Sequence, residues 1–194
     1  MKALNQIAEA LVAGAGGMIF LALLMILVID VNPALAEEHE LMTYLLYSGS
    51  WLLVLPLLSL TCIVGIISDL IASVLFQPWE NYRRRNAIRP PGSEAEKSVR
   101  HYYNVRNFIF SSDQTTAIAH TYLGNRVKIR LCRVWAIHAS LIFGLLAFYE
   151  SQSTEFNPYT FPFMLLCGLV LIGSLIGFHV ATNIELRWME PFNG

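Results

Sequence analysis

The sequence predicts an all-α membrane protein: a polytopic transmembrane four-helix bundle with a helical cytoplasmic insertion between spans two and three. Three observations predict it. Of the 194 residues, 55% are hydrophobic and only 14% charged, with a mean hydropathy of +0.51, outside the range of ordinary soluble domains. Four runs approach the roughly 20 apolar residues that a helix needs to cross a bilayer. The basic residues are gathered into one connection between those runs.

The runs are Leu11 to Ile29, Trp51 to Phe76, Val134 to Tyr149, and Phe161 to Asn183. They are apolar on every side and lack the strict alternation of barrel strands, so helices are expected. The third is short at 16 residues, and a snorkelling Arg133 would extend it. The chain then divides into a first hairpin (1–79), a basic segment (80–133) and a second hairpin (134–194). Lys2, the first run and Ala34-Leu35-Ala36 also resemble a secretory signal. The run exceeds the usual roughly 7–15-residue h-region, so a retained first span is expected.

Charge sets the orientation. Eleven of the thirteen Lys and Arg residues lie between Glu80 and Arg133; against four acids there, they leave a net +7. The other two connections carry acids only: Asp30, Glu37, Glu38 and Glu40 in one, Glu150 and Glu155 in the other. The positive-inside rule places the basic segment in the cytoplasm and the acidic loops outside. Both termini return to the cytoplasm.

Within the basic segment, the second span is expected to run through Trp79 and Tyr82 into Arg83, Arg84 and Arg85, and to end before Pro90-Pro91. Ser93-Glu94-Ala95-Glu96 fits a capping box, opening a helix whose Val99, Tyr102, Tyr103, Arg106, Ile109 and Phe110 largely share one face. Asp113 is a candidate N-cap for a helix running past Gly124 and Asn125 into span three. Arg126, Arg130 and Arg133, spaced by four and three, share a face beneath the membrane. Together with Arg83, Arg84 and Arg85 they are candidate contacts for anionic headgroups or for an acidic cytoplasmic protein partner. Tyr102, Tyr103 and Phe108 beside Arg100 and Arg106 are able to stack on bases, but no nucleic-acid module is legible and nucleic acid is not the expected partner.

Asp69, His138 and His179 lie eight, five and eight residues inside the cytoplasmic markers Gln77, Arg133 and Arg187. At 1.5 Å per residue all three sit about 8–12 Å into the inner half of the bilayer. They are candidates for an intramembrane polar cluster, extended by Asn183 one turn after His179. Such a group either ties helices together or answers protons or ions. Gly173 and Gly177 form a GxxxG pair, and Gly14 and Gly17 lie in a small-residue stretch of span one, so close helix packing is expected at both. A thin bundle of this size favours a homo-oligomer.

Cys62, Cys132 and Cys167 fall in or beside spans, without CxxC spacing, and imply neither disulfides nor a metal site. No cofactor is expected. A nucleophile with a neighbouring base, a phosphate loop and HExxH are all missing from the sequence, which leaves a membrane enzyme with only His101, Asp113 and His120 to draw on.

Gly65-Ile66-Ile67-Ser68-Asp69-Leu70-Ile71, the basic helix Arg126 to His138 and the glycine-containing start of span one together carry a resemblance. The chain resembles, in layout, small four-span bacterial membrane proteins, some of which accompany antiviral systems as membrane effectors or accessory subunits. That resemblance implies a bacterial inner-membrane protein. Two roles are expected from these readings: an oligomeric, pore-forming effector controlled through its basic segment, or a non-conducting anchor of a larger complex.

Overall fold

The computed structural model describes residues 2–31, 50–87, 102–107, 116–152, 158 and 160–189. Among them there is no strand. Four long helices account for nearly all: α1 (Lys2–Val31), α2 (Ser50–Ala87), α3 (Thr116–Gln152) and α4 (Thr160–Met189), with a short helical stretch at 102–107. Each long helix contains a stretch long and apolar enough to cross a membrane: Gln6–Met25, Pro56–Arg84, Thr121–Gln152 and Thr160–Trp188.

The helices outrun the hydrophobic segments that predict them. α2 continues through Trp79, Tyr82 and the arginine cluster to Ala87, beyond Pro78, whose ring nitrogen donates no hydrogen bond to the preceding turn. α3 begins at Thr116 and passes Gly124 and Asn125 without a break, so the third run, only 16 residues by hydropathy, is the end of a 37-residue helix. Ser93, Pro90-Pro91 and Asp113, with the termini they were expected to set, lie outside the described residues.

The chain forms two compact units. Unit 1 comprises Met1–Leu70 and Val134–Ile172; unit 2 comprises Ile71–Arg133 and Gly173–Gly194.

In unit 1, α1 and α2 meet by backbone proximity. Ala10, Gly14 and Gly17 recur along one face of α1, and Thr61, Gly65 and Ser68 along one face of α2. A Cβ added at Gly14 would overlap the Thr61 carbonyl oxygen, and one at Gly65 would overlap the Ala10 carbonyl oxygen. The two backbones therefore touch at two successive turns, as the small-xxx-small rule requires. Gly16 and Gly17 leave room for the ring of His138 on α3, which lies against both.

Unit 2 has an apolar centre of Ile129, Phe178 and Ala181, with Phe76 and Cys132 packed on it. Phe76 and Trp79 each make a T-shaped contact with the Phe178 ring, at 5.1 and 5.8 Å between centroids. Gly177 admits Cys132: a Cβ there would lie 2.9 Å from the sulfur. Gly173, the other half of the GxxxG pair, has nothing within 4 Å of its Cβ position, so among the described residues the motif packs through Gly177 alone.

The glycine contacts yield a contrast. Gly65→Val is predicted to destabilise the protein by about 1–3 kcal/mol, because an overpacked contact against a backbone carbonyl has no flexible atom to move. Gly144→Ala, which meets open space on α3, is predicted to be neutral or stabilising by up to about 1 kcal/mol. Thermal unfolding in detergent checks both.

Candidate functional site

Unit 2 holds a buried charge cluster, built from α2, α3, α4 and the stretch 102–107. Its sequence logic is helical. Glu80 and Arg84 stand one turn apart on α2, and Tyr122, Arg126, Ile129 and Arg133 recur at four-, three- and four-residue spacing on α3. Such a stripe shares one helical face, so its charged members enter with the apolar ones.

Glu80 is the first node. One carboxylate oxygen accepts from Arg133 Nη1 at 2.6 Å, and the other from Arg84 Nη2 at 2.7 Å. Arg126 Nη1 stands 3.7 Å from the same second oxygen. All of Glu80, Arg84 and Arg133 are buried.

Glu185, on the last turns of α4, is the second node and is buried as well. Arg126 Nη2 pairs with its Oε1 at 3.0 Å, so one guanidinium spans both carboxylates. Tyr102 donates its phenol proton to the same oxygen, and Tyr122 stands 3.4 Å away. The two phenol oxygens are 3.1 Å apart. Each phenol has a single proton; with that of Tyr102 given to Glu185, Tyr122 supplies the proton between the rings or its own to Glu185. Arg126 donates to both phenol oxygens, from Nη2 to Tyr102 at 2.7 Å and from Nε to Tyr122 at 2.9 Å. The Arg84 guanidinium lies 4.6 Å over the Tyr102 ring. Burial first, and then the Glu185 carboxylate, hold the Tyr102 phenol far above its usual pKa, so it remains a neutral donor.

Polar side chains also grip the α4 backbone nearby. Arg83 donates to the His179 carbonyl at 3.2 Å and to the Asn183 side-chain oxygen. Asn125 donates to the Ala181 carbonyl at 2.7 Å.

The intramembrane cluster expected from Asp69, His138, His179 and Asn183 is divided between the two units. In unit 1, His138 Nε2 hydrogen-bonds the Ser68 hydroxyl at 2.9 Å, and its ring meets Trp135 edge-on. In unit 2, His179 is exposed, and its backbone carbonyl rather than its ring meets Arg83. Equal depth on three helices did not distinguish inward from outward faces.

The arginines also differ from expectation. Arg126 and Arg133, read as headgroup contacts, direct their guanidinium groups to Glu80 and Glu185, and Arg133 does not snorkel. Arg130 is the exposed member of that set. Arg84 is buried beneath its own glutamate, Arg83 holds α4, and the Arg85 side chain lies outside the described residues. Tyr102 and Val105 face inward while Tyr103 faces out, so Tyr102 is not available to stack on a base.

The sequence reading passed over Glu80, Glu185 and Tyr122. Their signal was present: Glu80 is an acid one turn before the arginine run, and Glu185 is the first acid after the last apolar run. Glu80 was absorbed into the net charge of the basic segment. Among the described residues no group of three His, Cys, Asp or Glu side chains is placed to hold a metal ion. No protein-family model, curated protein or solved structure matches the chain.

Glu80→Gln leaves Arg84 and Arg133 buried beside a neutral amide and is predicted to cost about 3–5 kcal/mol. Lys128→Gln, at an exposed position on α3, is predicted to stay within about 0.5 kcal/mol of wild type. Denaturant titration followed by tryptophan fluorescence separates the two.

Proposed function

We propose that this chain is a four-span integral membrane protein, with its basic connection and both termini in the cytoplasm, acting as a membrane effector controlled through that connection. The observation that carries the control is Tyr102. It is fully buried in the charge cluster, and it joins the stretch between α2 and α3 to the end of α4. A signal received by the connection therefore has a polar, cooperative route into the spans.

Membrane placement is supported by the sides of the helices that carry no partner. Leu70, Val74 and Leu75 on α2 are 63%, 69% and 61% exposed, and Phe161, Leu165, Leu169, Ile172 and Ile176 line α4 in the same way. Each such side chain kept in water forgoes about 1.5–3 kcal/mol of burial, whereas hydrocarbon tails accept them. Exposed Trp79 and Tyr82 sit immediately before the arginine run, where aromatic side chains anchor a helix at the headgroups. Homo-oligomerisation and a passage through the assembled spans complete the effector reading. The resemblance to defence-associated membrane proteins directs the search for the signal to antiviral systems.

One observation favours a second reading, a non-conducting anchor. The buried charges of unit 2 pair with one another inside a single chain, and a water-filled passage requires polar groups turned toward water.

Two measurements test these readings. With Cys62, Cys132 and Cys167 replaced by Ala, Ser93→Cys is predicted to label only from the cytoplasmic side and Ser153→Cys only from outside. Labelling of both from one side overturns the topology. Purified protein in anionic vesicles is predicted to release a trapped ion faster than empty vesicles, with the rate changed by Glu185→Gln. Silent vesicles, with cytoplasmic extract present or absent, favour the anchor.

A further inference from the structure

We infer that Tyr102 is a releasable latch, and that the stretch 102–107 is a strap which holds the end of α4 when docked and frees it when lifted. The inference deepens the proposed control through the basic connection and rests on that reading for its purpose. Its physical basis is separate.

The stretch is held in the cluster mainly from one side. Its inward side chains are Tyr102 and Val105, while Tyr103, Asn104 and Asn107 are exposed and Arg106 is half-buried, 5.9 Å from the Tyr103 ring. Within the stretch, Tyr102 and Val105 are the buried side chains. The docked state of the strap therefore depends on what Tyr102 and Val105 meet. Tyr102 meets a group from each of the three long helices of unit 2: the Arg84 guanidinium over its ring, the Arg126 guanidinium and Tyr122 hydroxyl at its oxygen, and the Glu185 carboxylate as its acceptor.

Lifting Tyr102 changes the balance around Arg126. Glu185 loses one of its donors, and Arg126 is the cation that remains against it, at 3.0 Å. The same guanidinium is only 3.7 Å from Glu80, which keeps Arg84 and Arg133 at 2.7 and 2.6 Å. Arg126 thus reaches carboxylates on two helices at once, and in the latch Tyr102 sets how it is shared between them.

The test is hydrogen exchange on full-length protein in detergent micelles, read by mass spectrometry. Tyr102→Phe keeps the ring beneath Arg84 and removes only the donor. A hydrogen bond to a charged group, once lost, is expected to speed exchange about tenfold or more at 102–107. The latch further requires a parallel rise at 181–187, with 134–150 unchanged. Glu185→Gln should give the same signature at 102–107, and the double variant no more than either single. Tyr103→Phe, outside the cluster, should change nothing. Faster exchange at 102–107 with no change at 181–187 overturns the latch, as does an equal rise through every helix. The vesicle assay reports separately: silent wild-type vesicles beside the predicted exchange pattern would remove the conducting reading and leave the latch standing.

Discussion

Two buried carboxylates organise the basic half of this protein. A guanidinium taken out of water carries a desolvation cost of several kcal/mol, returned only when a carboxylate and further hydrogen bonds meet it in good geometry. Glu80 and Glu185 do this for Arg84, Arg126 and Arg133, with Tyr102 and Tyr122 adding hydrogen bonds to Arg126 and Glu185. α2, α3 and α4 cannot shift independently at this level without exposing a charge to an apolar neighbour. The apolar contact of Phe76, Trp79 and Phe178 lies in the same unit and confers packing, but the charges confer register.

Unit 1 solves the opposite problem. Its helices meet through Gly14, Gly65 and the small residues one turn away, where no side chain intervenes and the backbones touch. Lipid tails solvate leucine as well as leucine does, so such contacts gain from close approach rather than from burial of bulk. His138 enters through the same economy of volume, its ring seated where Gly16 and Gly17 carry no Cβ. One chain thus uses two means of fastening helices: side-chain charge in one unit and absent side chains in the other.

Much of this was legible in the residues. Four long helices, the continuation of α2 past Trp79 and the passage of α3 through Gly124 all follow from apolar length and helical propensity. What was not legible was direction. Spacing put Arg126, Arg130 and Arg133 on one face, but only the positions of Glu80 and Glu185 on other helices explain why two turn inward and Arg130 does not. Depth put Asp69, His138 and His179 at one level, and depth carries no azimuth. Tyr102 read as a surface aromatic because its partners are 20, 24 and 83 residues away in the chain, beyond any local pattern.

A double-mutant cycle across the two helices tests the central claim most directly. Glu80→Gln, Arg133→Gln and the pair together are unfolded in the same detergent, and the interaction energy is taken from the difference. The charge cluster predicts a coupling well above about 1 kcal/mol, with the double variant more stable than the summed singles imply. A coupling within about 0.3–0.5 kcal/mol of zero, the value for independent sites, would contradict it.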